Sequence, residues 1–319
     1  MNLTRLVRFV PVAFLISLCS CVSEKLVDSQ LPAGDSFNET ARRGAPLLIT
    51  LTLESGEKLL FLVDTGSPVT YLNKSLEPKL GKRLGTKTAT WGFYGKRKDG
   101  LYPAPKLYLN NTRLQLGDQI ETDAMGQEYA GIPVMGILGM DCLRHYCIQL
   151  DFAKSRMLFL NSDDLKNRDP GKAFRLETVS GGIFTHADIL DEKQEFFRVD
   201  TGLYGRVDFM LKPDLFQSEM HETRPFGQAE TNFISSSSKN HARDFKVGNR
   251  PVTGWALLPQ VQFGGETYTN VFVSQDMTEF AAHENIIGLR FLARNLVTLD
   301  FPHHVMYLKP ADGGSSDKR

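Results

Sequence analysis

Short apolar runs broken by polar turns dominate the chain, and they set its predicted elements. Residues 45–53 and 58–63 are rich in Leu, Ile, Val and Thr, with the polar turn Glu54-Ser55-Gly56-Glu57 between them. That pattern predicts a hairpin. Further short strands are predicted at 107–109, 114–116, 148–152 and 157–160, punctuated by Asn, Gly and Asp. The habit returns at 182–190, 195–199, 261–263 and 270–273. Short helices fit best just after Gly139 and Gly288, where Leu143 and Leu292 face inward. The predicted class is mostly β. The stretch 161–172 (NSDDLKNRDPGK) reads as a linker.

The chain also repeats itself. Gly136-Ile137-Leu138-Gly139 through Asp151-Phe152 aligns without a gap onto Asn285-Ile286-Ile287-Gly288 through Asp300-Phe301, and the match runs on to Met157 against Met306. Upstream of each copy an apolar strand ends in the same tripeptide, as Val63-Asp64-Thr65-Gly66 and Val199-Asp200-Thr201-Gly202. The order is therefore Asp-Thr-Gly, then apolar-apolar-Gly, twice over. The second interval is the longer one and contains the serine run 235–238, which reads as a loop insertion. A chain with two such halves is expected to be an internal duplication with a pseudo-twofold axis.

The ends have a different character. Arg5 and Arg8 precede an apolar run from Phe9 to Leu18, too short for a comfortable transmembrane helix, and residues 1–20 read as a secretory signal. The signal closes on Leu18-Cys19-Ser20-Cys21, similar to a bacterial lipobox, which makes Cys21 the candidate lipidation site. Diacylglycerol and an acyl chain on Cys21 would supply the two anchors that stable attachment needs. Plain cleavage of a secretory signal is the alternative. Residues 21–44 are polar and poorly patterned and read as a tether, and 313–319 as a disordered tail. The expected location is the bacterial cell envelope. The absence of Asp after Cys21 tilts the expectation toward the outer membrane.

Composition narrows the classes. With 41% hydrophobic and 23% charged residues, the 319-residue chain can bury a core, which excludes wholesale disorder and a multi-span membrane protein. Lys plus Arg and Asp plus Glu are both 37, and no basic stripe is visible, so a nucleic-acid partner is not expected. Four cysteines are too few for a disulfide scaffold, and a Cys142–Cys147 bridge would be strained. The seven histidines show no ligand spacing, so neither metal nor cofactor is expected. Asp151 and Asp300 recur after strands and read as turn formers.

Two Asp-Thr-Gly loops have a chemical use. A loop leaving a buried strand holds a carboxylate at a fixed spot, Gly66 and Gly202 allow a tight turn, and Thr65 and Thr201 offer hydroxyls that bond across to the opposite loop. If the halves pack about a twofold axis, Asp64 and Asp200 meet. Two adjoining carboxyls share one proton. The ionised oxygen then serves as general base on a water, and the protonated partner polarises a carbonyl.

These motifs resemble aspartic proteases of the pepsin and retropepsin clan. The likeness spans roughly 45–310 in spacing and is specific at the four motifs. It implies a two-lobed acid-protease fold, with an N-terminal lobe at 45–165 and a C-terminal lobe at 172–312, and endopeptidase activity on a peptide or protein substrate. Asp64 and Asp200 become the catalytic pair, supported by Thr65, Gly66, Ser67, Thr201 and Gly202. One chain supplies both halves of the site, so a monomer is expected. Ser67 is placed to hydrogen-bond Asp64, whereas Leu203 has no hydroxyl for Asp200, and this is expected to make the carboxyls inequivalent. Trp91-Gly92-Phe93-Tyr94-Gly95 falls where the clan carries a flap, which nominates Tyr94; a plain surface turn fits the same residues. Two other readings stay open: an inactive peptide-binding lipoprotein of the same fold, and an enzyme whose cleft is filled by its own tether.

Overall fold

A computed structural model describes residues 31–91, 95–189, 192–213, 215–216, 246–247, 250–251, 253–276 and 284–311. Strands dominate. The first half holds β1 (Asp35–Ser36), β2 (Leu48–Leu53), β3 (Lys58–Val63), β4 (Tyr71–Asn73), β5 (Gly85–Trp91), β6 (Gly95–Pro103), β7 (Leu107–Leu109), β8 (Thr112–Arg113), β9 (Gln119–Asp123), β10 (Glu128–Tyr129), β11 (Ile132–Leu138), β12 (Cys147–Asp151) and β13 (Arg156–Leu160). The second holds β14 (Lys172–Val179), β15 (Gly182–Ile189), β16 (Glu192–Asp200), β17 (Phe209–Leu211), β18 (Lys246–Val247), β19 (Arg250–Pro251), β20 (Thr253–Phe263), β21 (Glu266–Asp276), β22 (Asn285–Gly288), β23 (Asn295–Asp300) and β24 (Val305–Pro310).

Two large sheets result. In one the spatial order includes β2-β3-β11-β4-β9, and in the other β15-β16-β22-β17-β21. The strand senses match step for step. β3 lies parallel to β11, β11 antiparallel to β4 and β4 parallel to β9. β16 lies parallel to β22, β22 antiparallel to β17 and β17 parallel to β21. Each Asp-Thr-Gly strand thus runs beside the strand that ends in its own apolar-apolar-Gly, with Val63 opposite Leu138 and Asp200 opposite Gly288.

Central strands covered on both faces read as near-continuous apolar runs, and β3 (KLLFLV) is one. Phe61 and Val63 enter the main core, while Leu62 joins a smaller cluster with Leu48, Tyr71, Val134 and Ile137 on the other face. The second half fills its interior with aromatics: Phe291 packs against Phe209 at 4.3 Å and Phe263 at 4.9 Å between ring centres. The helical turns Met140–Leu143 and Leu289–Leu292 follow Gly139 and Gly288, with Leu143 and Leu292 buried.

The halves also share strands. The run β1-β13-β12-β23-β24-β14 mixes strands of both, and β12 meets β23 antiparallel with Gln149 opposite Thr298. These two residues occupy the same place in the repeat, and Gln149 Nε2 donates to Thr298 Oγ1 at 2.9 Å.

Some expectations need correcting. The stretch read as a tether is not free over its whole length, because residues 35–44 belong to the folded body. β1 pairs with β13, Phe37 and Ala41 are buried, and the Phe37 ring lies 5.4 Å from that of Phe152. A 3-10 helix, Glu39–Arg43, ends at Gly44, whose carbonyl accepts from Gly205 N–H in the second half. The segment 114–116 is not a strand. Asn110 and Asn111, both at positive φ, form a two-residue turn that starts β8 early, at Thr112. The linker 161–172 contains a 3-10 helix, Ser162–Asn167, that buries Leu165. Cys142 and Cys147 are free and buried. Asp151 accepts from Lys154 N–H at 3.0 Å, closing the turn after β12.

Candidate active site

The two Asp-Thr-Gly loops meet and lock by four reciprocal hydrogen bonds. Thr65 N–H donates to Thr201 Oγ1 at 3.0 Å, and Thr65 Oγ1 donates to the Val199 carbonyl at 2.8 Å. The same bonds run the other way, from Thr201 N–H to Thr65 Oγ1 at 3.0 Å and from Thr201 Oγ1 to the Val63 carbonyl at 2.8 Å. Both threonines are buried. Each hydroxyl therefore satisfies a main-chain donor and a main-chain acceptor of the opposite strand end.

That lock brings Asp64 and Asp200 together. Gly66 and Ser67 N–H donate to Asp64 Oδ1 at 2.8 and 3.1 Å; Gly202 and Leu203 N–H donate to Asp200 Oδ1 at 2.7 and 3.0 Å. Oδ2 of each residue lies outside its own loop's hydrogen bonds. The glycines are explained by close approach rather than by unusual dihedrals. A Cβ on Gly66 would sit 2.4 Å from the Asp200 carboxyl carbon, and one on Gly202 would sit 2.3 Å from that of Asp64.

Ser67 does not play its expected part. Its hydroxyl donates to the Val69 carbonyl at 2.8 Å, and only its N–H reaches Asp64. Leu203 supplies the same N–H on the other side, so the missing hydroxyl there creates no inequivalence. The pair differs for another reason. Burial and then the Asp200 charge push Asp64 well above the usual carboxylate range. Burial also raises Asp200, but the Arg198 guanidinium pulls it back down. Arg198 precedes Asp200 by two residues on β16, and the first half has the apolar Leu62 at the matching position.

Each loop hangs on the helical turn behind it. Met140 N–H donates to the Ser67 carbonyl at 2.8 Å, and Leu289 N–H to that of Leu203 at 2.9 Å. Beneath Gly139, Thr70 Oγ1 takes the Gly139 N–H and donates to Asp141 at 2.7 Å. Beneath Gly288, the fully buried Asp208 holds Arg294 through two bonds of 3.0 and 2.9 Å.

Sequence reasoning found Asp64, Asp200 and both Thr-Gly pairs as neighbours-to-be but missed Arg198. The signal was present, as the only charged side chain in either apolar strand at the position two before Asp. Tyr94 and Cys21 lie outside the described residues; the arms β5 and β6 run antiparallel as far as Trp91 opposite Gly95. No family model matches the chain, and no curated protein matches it.

Chemically, two carboxyls held this closely do not ionise independently; the second charge is disfavoured, and one proton is shared between them. The pair offers a base and an acid within reach of a single small molecule.

Proposed function

We propose that the chain is an aspartic endopeptidase with a two-lobed, pepsin- and retropepsin-like architecture. The observation that carries the reading is the reciprocal threonine lock, which sets two equivalent loops and their carboxyls face to face. The matching strand order in the halves and the run of strands shared between them support it. One ionised carboxylate takes a proton from a water as its oxygen bonds to the scissile carbonyl carbon. The other carboxyl gives its proton to the carbonyl oxygen, forming a neutral gem-diol. On collapse the C–N bond breaks, the amine nitrogen receives the first proton, and a diol hydroxyl returns the second.

The reading includes a single-chain site and a lipid on Cys21 that holds the enzyme at the bacterial envelope. Its test is incubation with a diverse peptide mixture from acid to neutral pH, with new termini read by mass spectrometry. Cleavage by the wild type that is lost in both Asp64→Asn and Asp200→Asn supports it. Wild-type turnover in either folded variant, or no cleavage at any pH, refutes it.

A further inference from the structure

The halves differ most pointedly beside the carboxyls, at the pair Leu62 and Arg198. Side chains two apart share a strand face, so Arg198 lies on the face of β16 that carries Asp200. Its place is tightly defined. The guanidinium carbon stands 5.3 Å from the centre of the Phe184 ring, on the neighbouring strand β15. The guanidinium also lies against the bare backbone of Gly182, where a Cβ would come within 2.7 Å of Nη2 and push the side chain aside. Nε lies 3.4 Å from Glu284 Oε2, just before β22, in an ion pair without hydrogen-bond alignment. Next to Gly182, a Cβ on Gly181 would meet Pro68 at 2.7 Å, so this turn is wedged between Arg198 and the loop of Asp64.

Among the described residues, the charged groups around Asp200 are few. Asp64 faces it across the site, Arg198 flanks it on its own strand, and Glu284 stands behind Arg198. Farther along, His186 of β15 faces Phe196, and Glu195 is paired with Lys212 at 3.3 Å. Asp64 has no cation at the matching place, only Leu62 in its apolar cluster.

We propose that Arg198 is a positioning residue that gives the pair a fixed polarity. Asp200 carries the negative charge and takes the proton of the attacking water, while Asp64 holds the shared proton that passes to the carbonyl oxygen. The roles given to the two oxygens rest on the peptidase reading; the polarity itself does not.

The test follows the carboxyl carbons by NMR in protein labelled with 13C-aspartate, assigned through Asp64→Asn and Asp200→Asn. It is run on the wild type, Arg198→Leu and Arg198→Lys. Leucine is the first half's own residue at this place, and Arg198→Met, with a longer stem over Phe184, replaces it if that variant fails to fold. Loss of the cation is expected to raise the lower titration step of the pair by about 1–2 pH units, the usual effect of a nearby opposite charge. Lysine is expected to restore most of the shift. With a cleaved peptide in hand, the acid limb of kcat/KM moves up by the same amount, about tenfold per unit at acid pH. A folded Leu or Met variant that titrates like the wild type overturns the proposal, as does a Lys variant that titrates like Leu. Should the wild type cleave nothing, the peptidase reading falls while the titration still decides the polarity.

Discussion

Replacing Thr201 by Val probes the lock without changing the shape of the side chain. Thr201 is fully buried, and its hydroxyl makes one bond in each direction, to the Val63 carbonyl and from the Thr65 N–H. Valine leaves that acceptor and that donor buried and unpaired. At about 1–3 kcal/mol for each of the two orphaned groups, the cost is about 2–6 kcal/mol. That is a large share of the roughly 5–15 kcal/mol that holds a typical domain folded. Thr201→Ser keeps the oxygen and gives up one methyl, so it should cost only about 1 kcal/mol. Urea unfolding of the three proteins measures both differences from the midpoints at constant slope. A valine variant within about 0.5 kcal/mol of wild type, the range of innocuous substitutions, would refute the reciprocal bonding. The ordering of valine far below serine is the signature of the hydroxyl itself.

Three further outcomes are expected. Gly66→Ala places a methyl where the Asp200 carboxyl now sits, and should cut peptide cleavage at least about a hundredfold while the protein still folds, as misplacements of about 1 Å do; cleavage at the wild-type rate would contradict the close approach. Asp64 titrates higher in the folded chain than in the unfolded one, so the native state binds the extra proton. Its stabilisation is complete below the unfolded value of about 3.9 and is lost as pH rises through the raised folded value, at up to about 1.4 kcal/mol per pH unit. Thermal melts across that window should lose stability more steeply in the wild type than in Asp64→Asn, since Asp200 and other buried carboxyls that are also raised remain in both. Phe37→Ala should cost about 3–5 kcal/mol, since the ring is buried against Phe152; a melting temperature equal to the wild type's would return residues 35–44 to the status of a loose tether.

The sequence made local things legible and left long-range ones hidden. The hairpin at 48–63 and the helical turns after Gly139 and Gly288 were readable because apolar spacing and a polar turn are local signals. The repeat was readable because two copies can be laid side by side, and it located Asp64 and Asp200. What it did not convey was partnership at a distance. Phe37 and Ala41 sit in a polar stretch with no period, and only pairing with β13, over a hundred residues away, makes that stretch part of the body. The Ser67 hydroxyl was expected at Asp64, but the Val69 carbonyl took it. Arg198 broke an apolar strand, yet its meaning depended on Phe184, Gly182 and Glu284 arriving around it.

The facing of Gln149 and Thr298 says something about what a single chain is free to do. In a symmetric pair of identical subunits, a residue on the twofold axis meets its own copy, so it must complement itself. Here the two positions are occupied by an amide that donates and a hydroxyl that accepts. A few strands away, the same licence puts a cation beside one carboxyl and leucine beside the other. Two identical subunits would have to place a guanidinium at both or at neither, and either choice would leave the carboxyls interchangeable. Joining the halves lets a mirror-like scaffold hold a centre with a distinct left and right.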